Sequence, residues 1–306
     1  MNFVNDMAWV LPLRSEELSL FFKAVTALGY FQFLFVFMAF GFYFWRSSVF
    51  YKLALMLFFT GGINMFLKDV MQDPRPDAIF SLDEQTGESY GWPSGHAQMA
   101  IVLWGWLALH VTVNWQKILL WTVAALICFS RLYLGVHDIG DISGGVVLGG
   151  LTLWLWYQLS SSHKLENAFQ ELGAVRIGLG LFVVQLIFVT LHPIDGLIFV
   201  AAYMWGIMMG WYVGWHLAGA SGDTLNGGLP QRLVVAALCG GIGFIGLIIS
   251  ARSLRFAAEQ GEALHFGLSQ MLVPYLAGLG YGIFIAGLLP LILRFARLAK
   301  PNEASA

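Results

Sequence analysis

The sequence predicts an all-α fold, a polytopic integral membrane helical bundle with about nine transmembrane helices. Three observations lead there. Of 306 residues, 58% are apolar and only 11% are charged, with 35 glycines, far from the balance of a soluble domain. The apolar residues gather in runs near the roughly 20 residues that one bilayer crossing needs. Eight or nine such runs leave too little chain for a large soluble domain. Sixteen basic against eighteen acidic residues give a net charge of −2, which offers no field for a polyanion and argues against a nucleic-acid partner. Cys128 and Cys239 both sit inside apolar runs, as packing residues rather than a disulfide framework or zinc site.

Residues 1–24 mix Asn5, Asp6, Glu16 and Glu17 with apolar groups such as Trp9, Leu11, Phe21 and Phe22. That pattern suits an amphipathic segment lying at the interface, and the absence of a basic n-region argues against a cleaved signal peptide. The spans follow at 25–45, 50–67, 97–114, 118–135, 139–159, 177–191, 197–217, 233–250 and 267–293. Each is expected to be helical because lipid offers backbone groups no outside partners. Trp45, Trp115, Trp121 and Tyr157 stand near proposed ends, where amphipathic rings reach the headgroups. With the N-terminus outside, the inner segments hold Arg46, Lys52, Lys117, Lys164, Arg176, Arg232, Arg294, Arg297 and Lys300, nine in all. The outer ones hold Arg14, Lys23, Arg252 and Arg255, apart from Lys68, Arg75 and Arg131, which belong to polar islands. Nine against four favours an outside N-terminus and an inside C-terminus. Glycines at Gly140, Gly144, Gly145 and Gly149, at Gly240, Gly243 and Gly246, and at Gly278, Gly280 and Gly282 read as helix contacts.

Three polar islands break the apolar pattern, and all fall on the outer side. In the first, Lys68 closes the second span, and Pro74 and Pro76 stop the helix around Arg75. Taken alone, such a pair could simply snorkel to headgroups. The second is Tyr90-Gly91-Trp92-Pro93-Ser94-Gly95-His96. Pro93 suits a first helical turn, and the amides of Ser94, Gly95 and His96 would make an anion site at a helix N-terminus, with Gly95 allowing close approach. A plain helix cap is the alternative. The third island carries Arg131 in the end of a span, where a buried guanidinium needs an anion or carboxylate partner. It also carries His137 and Asp141, four apart and on one face if the helix begins near Val136. Asp141 can then accept a hydrogen bond from one ring nitrogen of His137 and leave the other unprotonated and nucleophilic; a structural His-Asp pair competes with this reading.

Together the islands hold three cations, two histidines, an orienting carboxylate, a serine and a helix N-terminus. This is an inventory for phosphoryl transfer through a phosphohistidine: the cations neutralise the equatorial oxygens, His137 attacks and His96 protonates the leaving oxygen. The cluster lacks the several carboxylates that magnesium or calcium would need, so a metal-independent reaction without cofactor is expected.

At these positions the sequence resembles the type 2 phosphatidic acid phosphatase superfamily, which includes glucose-6-phosphatase and the vanadium haloperoxidases. Its pattern K-x6-R-P is met by Lys68 and Arg75-Pro76, P-S-G-H by Pro93-Ser94-Gly95-His96, and S-R-x5-H-x3-D by Ser130-Arg131, His137 and Asp141. The resemblance spans about residues 50–160. It implies that Lys68, Arg75, Ser94, Gly95 and Arg131 bind phosphate, that His96 is the general acid, and that His137 is the nucleophile oriented by Asp141. It also implies a helical core with the site at the outer membrane face. The chain then divides into the interfacial segment 1–24, a five-span catalytic core over 25–160 and a four-span extension over 161–306.

The extension departs from the common six-span plan of the family. It holds few ionisable groups, among them His192, Asp195, His216, Arg252, Arg255, Glu259, Glu262 and His265, without a second constellation. Its helices would widen the bundle, open a lateral path for lipid or support a homodimer. The leading expectation is a membrane phosphatase acting on a lipid phosphate or isoprenyl diphosphate, with its site on the outer face of a bacterial inner membrane. A lipid or sugar phosphotransferase with the same nucleophile, or a sugar-phosphate phosphatase, keeps the chemistry and changes acceptor or substrate. A lipid transporter or flippase would account for the spans but not for the His-Asp spacing.

Overall fold

A computed structural model describes residues 7–83, 89–192, 198–219, 223–261 and 267–301. Its helices are α1 (Glu16–Ala27), α2 (Phe31–Phe44), α3 (Ser47–Met71), α4 (Gly95–His110), α5 (Asn114–Tyr133), α6 (Ile139–Ser161), α7 (His163–Leu191), α8 (Ile198–Leu217), α9 (Leu229–Gly261), α10 (Gly267–Ile283) and α11 (Leu289–Phe295). A π-helical turn, Phe284–Leu288, joins the last two. The described strands are β1 (Asp223–Leu225) and β2 (Ala299–Pro301), a short antiparallel pair. The fold is therefore helical, as expected.

The expected count of nine spans is not reached. Among the described residues seven helices are long and apolar enough to cross a membrane, or eight if α1 and α2 count as one bent span; on this the chain is an integral membrane protein. The shortfall has two physical sources. At 16 residues, α4 is only about 24 Å long at 1.5 Å per residue. The continuous span expected over 25–45 is instead two helices bent by 52°. The bend falls where the amides of Leu28 and Gly29 turn back to Val25 and Thr26 at 3.1 and 2.9 Å, the tightened last turn with which a helix ends.

The chain divides into two compact units: one of Met1–Tyr30 and Ile63–Ser162, the other of Phe31–Gly62, His163–Ile194 and Ile198–Ala306, apart from a short masked stretch. In the first, α1 begins at Ser15, whose hydroxyl accepts the Leu18 amide. It lays Phe22 against Phe129 and Tyr133 of α5, with ring centroids 5.3 and 4.5 Å apart. Arg14 donates to the carbonyls of Phe80 (2.6 Å) and Tyr133 (3.1 Å). A small buried cluster of Met7, Val10, Phe22, Tyr133, Leu134 and Val136 completes this side. Helix α6 approaches α4 through two of the glycines singled out in the sequence: a Cβ on Gly145 would stand 2.6 Å from the Ser94 carbonyl, and one on Gly149 2.7 Å from that of Gln98.

The second unit is packed backbone to backbone. Gly278 and Gly282 of α10 meet the carbonyls of Tyr203 and Ile207 on α8, where a Cβ would come within 2.4 and 2.6 Å. The α8 glycines answer in kind, with Gly206 against the Tyr275 carbonyl and Gly210 against that of Leu279. Small residues four apart bring two helices this close. Gly280, expected at the same contact, faces open space, because it lies two residues off the stripe and on the other side of the helix. On α9, Gly240 and Gly243 face Val36 and Ala39 of α2.

Candidate active site

All eight residues expected to carry chemistry lie in the first unit, at the end of α3, the start of α4 and the turn between α5 and α6. The centre is His137. Its Nδ1 lies 2.8 Å from Asp141 Oδ2, so Nδ1 carries the proton and Nε2 is left with a lone pair. Nε2 in turn lies 3.3 Å from Arg75 Nη1, which can donate to it. The reach between the two differs from expectation. Helix α6 starts at Ile139, not near Val136, and Asp138 is its N-cap. Asp138 Oδ1 accepts the Asp141 amide at 2.9 Å, while Asp141 Oδ2 accepts the Asp138 amide at 3.3 Å. One carboxylate thus closes a reciprocal cap and orients the imidazole preceding the helix. The D-x-x-D spacing of Asp138 and Asp141 is the sequence signal of this cap.

Burial holds the His137 pKa well below the ordinary histidine value, reinforced by the positive charges of Arg75, Lys68 and Arg131 and by His96. That set of influences also shows how closely the separate islands converge. Burial and Arg131 lower the pKa of Arg75 to about 10, which leaves it charged at neutral pH.

The three cations are held by different partners. Lys68 Nζ donates to the carbonyls of Tyr90 and Gly91, the latter at 2.9 Å. Arg75 donates to the Ser89 carbonyl, to Ser89 Oγ (2.8 Å) and to the Val136 carbonyl (2.9 Å). Carbonyl and hydroxyl oxygens fix these groups without cancelling their charge. Arg131, only 2% exposed, donates from Nη1 to Thr26 Oγ1 (2.6 Å) and to Asp83 Oδ2 (2.7 Å). The carboxylate partner a buried guanidinium requires is therefore Asp83, a residue the sequence alone did not single out. Tyr30 also donates to Asp83 Oδ2.

The α4 end departs from expectation in two details. Ser94 is the N-cap and Gly95 the first helical residue, so Pro93 stands before the helix rather than in its first turn. Its carbonyl is taken by Asn64 Nδ2 at 3.1 Å. The Ser94 amide is not free for an anion, since it donates to the Asp141 carbonyl at 3.0 Å. This bond ties the start of α4 to the start of α6. The Ser94 hydroxyl and His96 Nε2 are buried and have no hydrogen-bond partner among the described residues, as suits groups that engage a substrate. Gly95 is where close approach matters: a Cβ there would stand 3.0 Å from Asn64 Oδ1. Asn64 also donates to Gln98 Oε1 at 2.8 Å. Asn64 and Gln98 are polar residues in apolar runs, a signal that was available in the sequence.

In the second unit His192 is buried, whereas Pro193–Asp195, Glu262 and His265 lie outside the described residues. His216 lies against Tyr212, ring centroids 4.6 Å apart and planes tilted by 60°.

Comparison with known proteins agrees with the first unit. The model of the PAP2 superfamily matches residues 49–164, the stretch that carries all eight residues. The chain is 28% identical over 138 residues to the lipid A 4'-phosphatase of Bacteroides thetaiotaomicron, covering 42% of this chain and 60% of that protein. It is 27% identical over 171 residues to lipid phosphate phosphatase delta of Arabidopsis thaliana, covering 50% and 41%. The chain thus spans less than two thirds of these relatives' lengths. Among solved structures, it is similar to a PAP2 type phosphatidylglycerolphosphate phosphatase from Bacillus subtilis, with TM-score 0.44, 25% identity and coverage of 51% of this chain and 84% of that one.

Proposed function

We propose, from the premise that residues 49–164 form a PAP2-superfamily segment, that the chain is a membrane phosphatase removing the terminal phosphate of a lipid phosphate or isoprenyl diphosphate. The single observation that carries this is the His137 arrangement: Nδ1 on Asp141 at 2.8 Å, and Nε2 beside the Arg75 guanidinium at 3.3 Å. A neutral imidazole whose lone pair faces a cation is set to meet a phosphoryl group that the cation has drawn in.

In this reading Lys68, Arg75, Ser94, Gly95 and Arg131 bind the phosphate oxygens. His137 Nε2 attacks phosphorus, the bond from phosphorus to the leaving oxygen breaks, and His96 gives that oxygen its proton. Asp141 stabilises the imidazolium that forms on His137. Water, deprotonated by His96, then attacks the phosphohistidine and frees inorganic phosphate, restoring both histidines. The positive side chains supply the charge stabilisation that a metal supplies elsewhere, so no metal is invoked. The apolar chain of the substrate stays among the membrane helices while its headgroup enters the cationic site. The relatives' names, lipid A 4'-phosphatase and dolichyldiphosphatase among them, favour lipid phosphates.

The test is a substrate panel on purified protein: phosphatidate, phosphatidylglycerophosphate, undecaprenyl diphosphate, a sphingoid phosphate and a sugar phosphate. Release from a lipid member that persists in chelator, with label trapped on wild-type protein but not on His137→Ala, is the expected result. Release from none of them by folded protein overturns the reading. Loss of all activity in chelator, restored by a divalent ion, overturns its metal-independent form.

A further inference from the structure

The junction between α1 and α2 sits against His96, and nothing in the phosphate-binding motifs accounts for it. A Cβ on Gly29 would stand 2.4 Å from His96 Cδ2, and its three nearest atoms would all belong to the His96 imidazole. Gly29 does not have a positive φ, so its backbone does not call for glycine; what calls for it is the ring. Tyr30 meets the same ring from another direction, edge-on, with centroids 4.9 Å apart and planes at 89°. Its hydroxyl is fastened to Asp83 Oδ2, the carboxylate that holds Arg131 at 2.7 Å.

We propose that Gly29 and Tyr30 are positioning residues for His96, clamping its imidazole so that Nε2 meets the leaving oxygen of a phosphate bound at Arg131. This rests on the reading above, in which His96 is the proton donor. His96 Nε2 has no hydrogen-bond partner among the described residues, so packing rather than hydrogen bonding must set where it points. Gly29 supplies the room and Tyr30 the wall. Asp83 anchors that wall to the phosphate-binding cation, giving acid and anion site a common reference point. The clamp belongs to the proton-transfer half of the reaction: as the bond to phosphorus breaks, the electron pair goes to the leaving oxygen and the proton comes from His96. In that step, up to formation of the phosphohistidine, a leaving group that needs no proton should be indifferent to it.

The experiment compares dodecyl phosphate, whose alkoxide must be protonated, with para-nitrophenyl phosphate, whose phenolate leaves unaided. In Gly29→Ala, kcat/KM for dodecyl phosphate, which reports the steps up to phosphohistidine formation, should fall on the order of 10- to 100-fold, the scale of a displaced catalytic group, while kcat/KM for the aryl substrate stays within about threefold. Against a His96→Ala background the same substitution should cause no further loss, because residues acting as one unit are not additive. Tyr30→Ala, which removes the edge contact without adding a methyl, should likewise lower the ratio of dodecyl to aryl kcat/KM, and it stands in if Gly29→Ala does not fold. Any weakening of the Asp83–Arg131 contact falls on both substrates alike. Equal loss on both substrates, additive loss with His96→Ala, or no loss overturns the clamp. Failure of the underlying reading looks different: His137→Ala would then retain activity on both substrates, or His96→Ala would itself show no leaving-group preference.

Discussion

The two units bury different things. Among the described residues, the first buries Lys68, Arg131, His137, Asp138 and Asp141 together with Asn64, Ser94 and Gln98. The second buries tryptophan, methionine and glycine, with Ser47, Thr60, Gln185 and His192 as its polar members. Burying a charge is costly unless partners repay it, so an element assembled only for stability has no reason to do so. Glycine packing between α8 and α10 shows how a scaffold is held together without such cost. The lesson is that buried charge, rather than span number, separates the unit that holds the candidate site from the other.

The largest expected effect breaks the chemical unit at its centre. His137→Ala should lower kcat by on the order of 10⁴-fold or more, as loss of a nucleophile does, leaving the thermal unfolding of detergent-solubilised protein little changed. Next comes Arg75→Lys, which keeps the charge and loses the fork that spans Ser89, Val136 and His137. A drop in kcat of about 10²- to 10³-fold is expected, and a drop smaller than threefold would remove Arg75 from the transition state.

The comparison is sharpened by pH. His137 must be neutral to attack, and burial with the surrounding cations holds its pKa well below the ordinary value. Protonation of His137, and with it the acid-side loss of rate, should therefore come only at pH well under about 6.5, so the acid limb of kcat/KM should lie below that pH. Removing a cation in Arg75→Gln should move this acid limb upward. A wild-type limb at or above the ordinary histidine value would contradict the assignment.

The second unit should respond in stability instead. Gly210→Leu drives a side chain into the Leu279 carbonyl, where even a Cβ stands at 2.3 Å. It should destabilise by about 1–3 kcal/mol, read as a lower unfolding temperature, with kcat of the surviving folded protein unchanged. The smallest effect is Gly280→Ala. With open space around it, it should stabilise the helix by about 0.5–1 kcal/mol, while Gly282→Ala, two residues on, should destabilise it. Equal behaviour of these two would undo the glycine stripe.

Much of this was legible beforehand for specific reasons. Lys68, Arg75, His96, Arg131, His137 and Asp141 stood out because ionisable groups are expensive in apolar runs. The α4 and α6 contact was legible because Gly145 and Gly149 repeat at helical spacing. Asp83 and Tyr30 were not, since a carboxylate in a polar loop and a tyrosine beside a glycine carry no local signature. Gly206 and Gly210 went unread for the opposite reason, as glycines in a long apolar run look alike until a partner helix selects one face. The span number is not fixed by apolarity, which does not reveal that α1 and α2 break at Gly29 or that α4 stops after 16 residues.

Composition and spacing by themselves determined that the chain is helical and membrane-embedded, and marked the histidines, cations and carboxylate that the fold gathers in its first unit. Those are properties of residue type and short-range periodicity, which water and lipid enforce on any chain. Only the tertiary structure decided that Arg131 leans on Asp83 and that His96 is wedged between Gly29 and Tyr30. Each of these joins residues that have no reason to meet until the helices pack, and packing is a long-range bargain among shapes that no local pattern encodes.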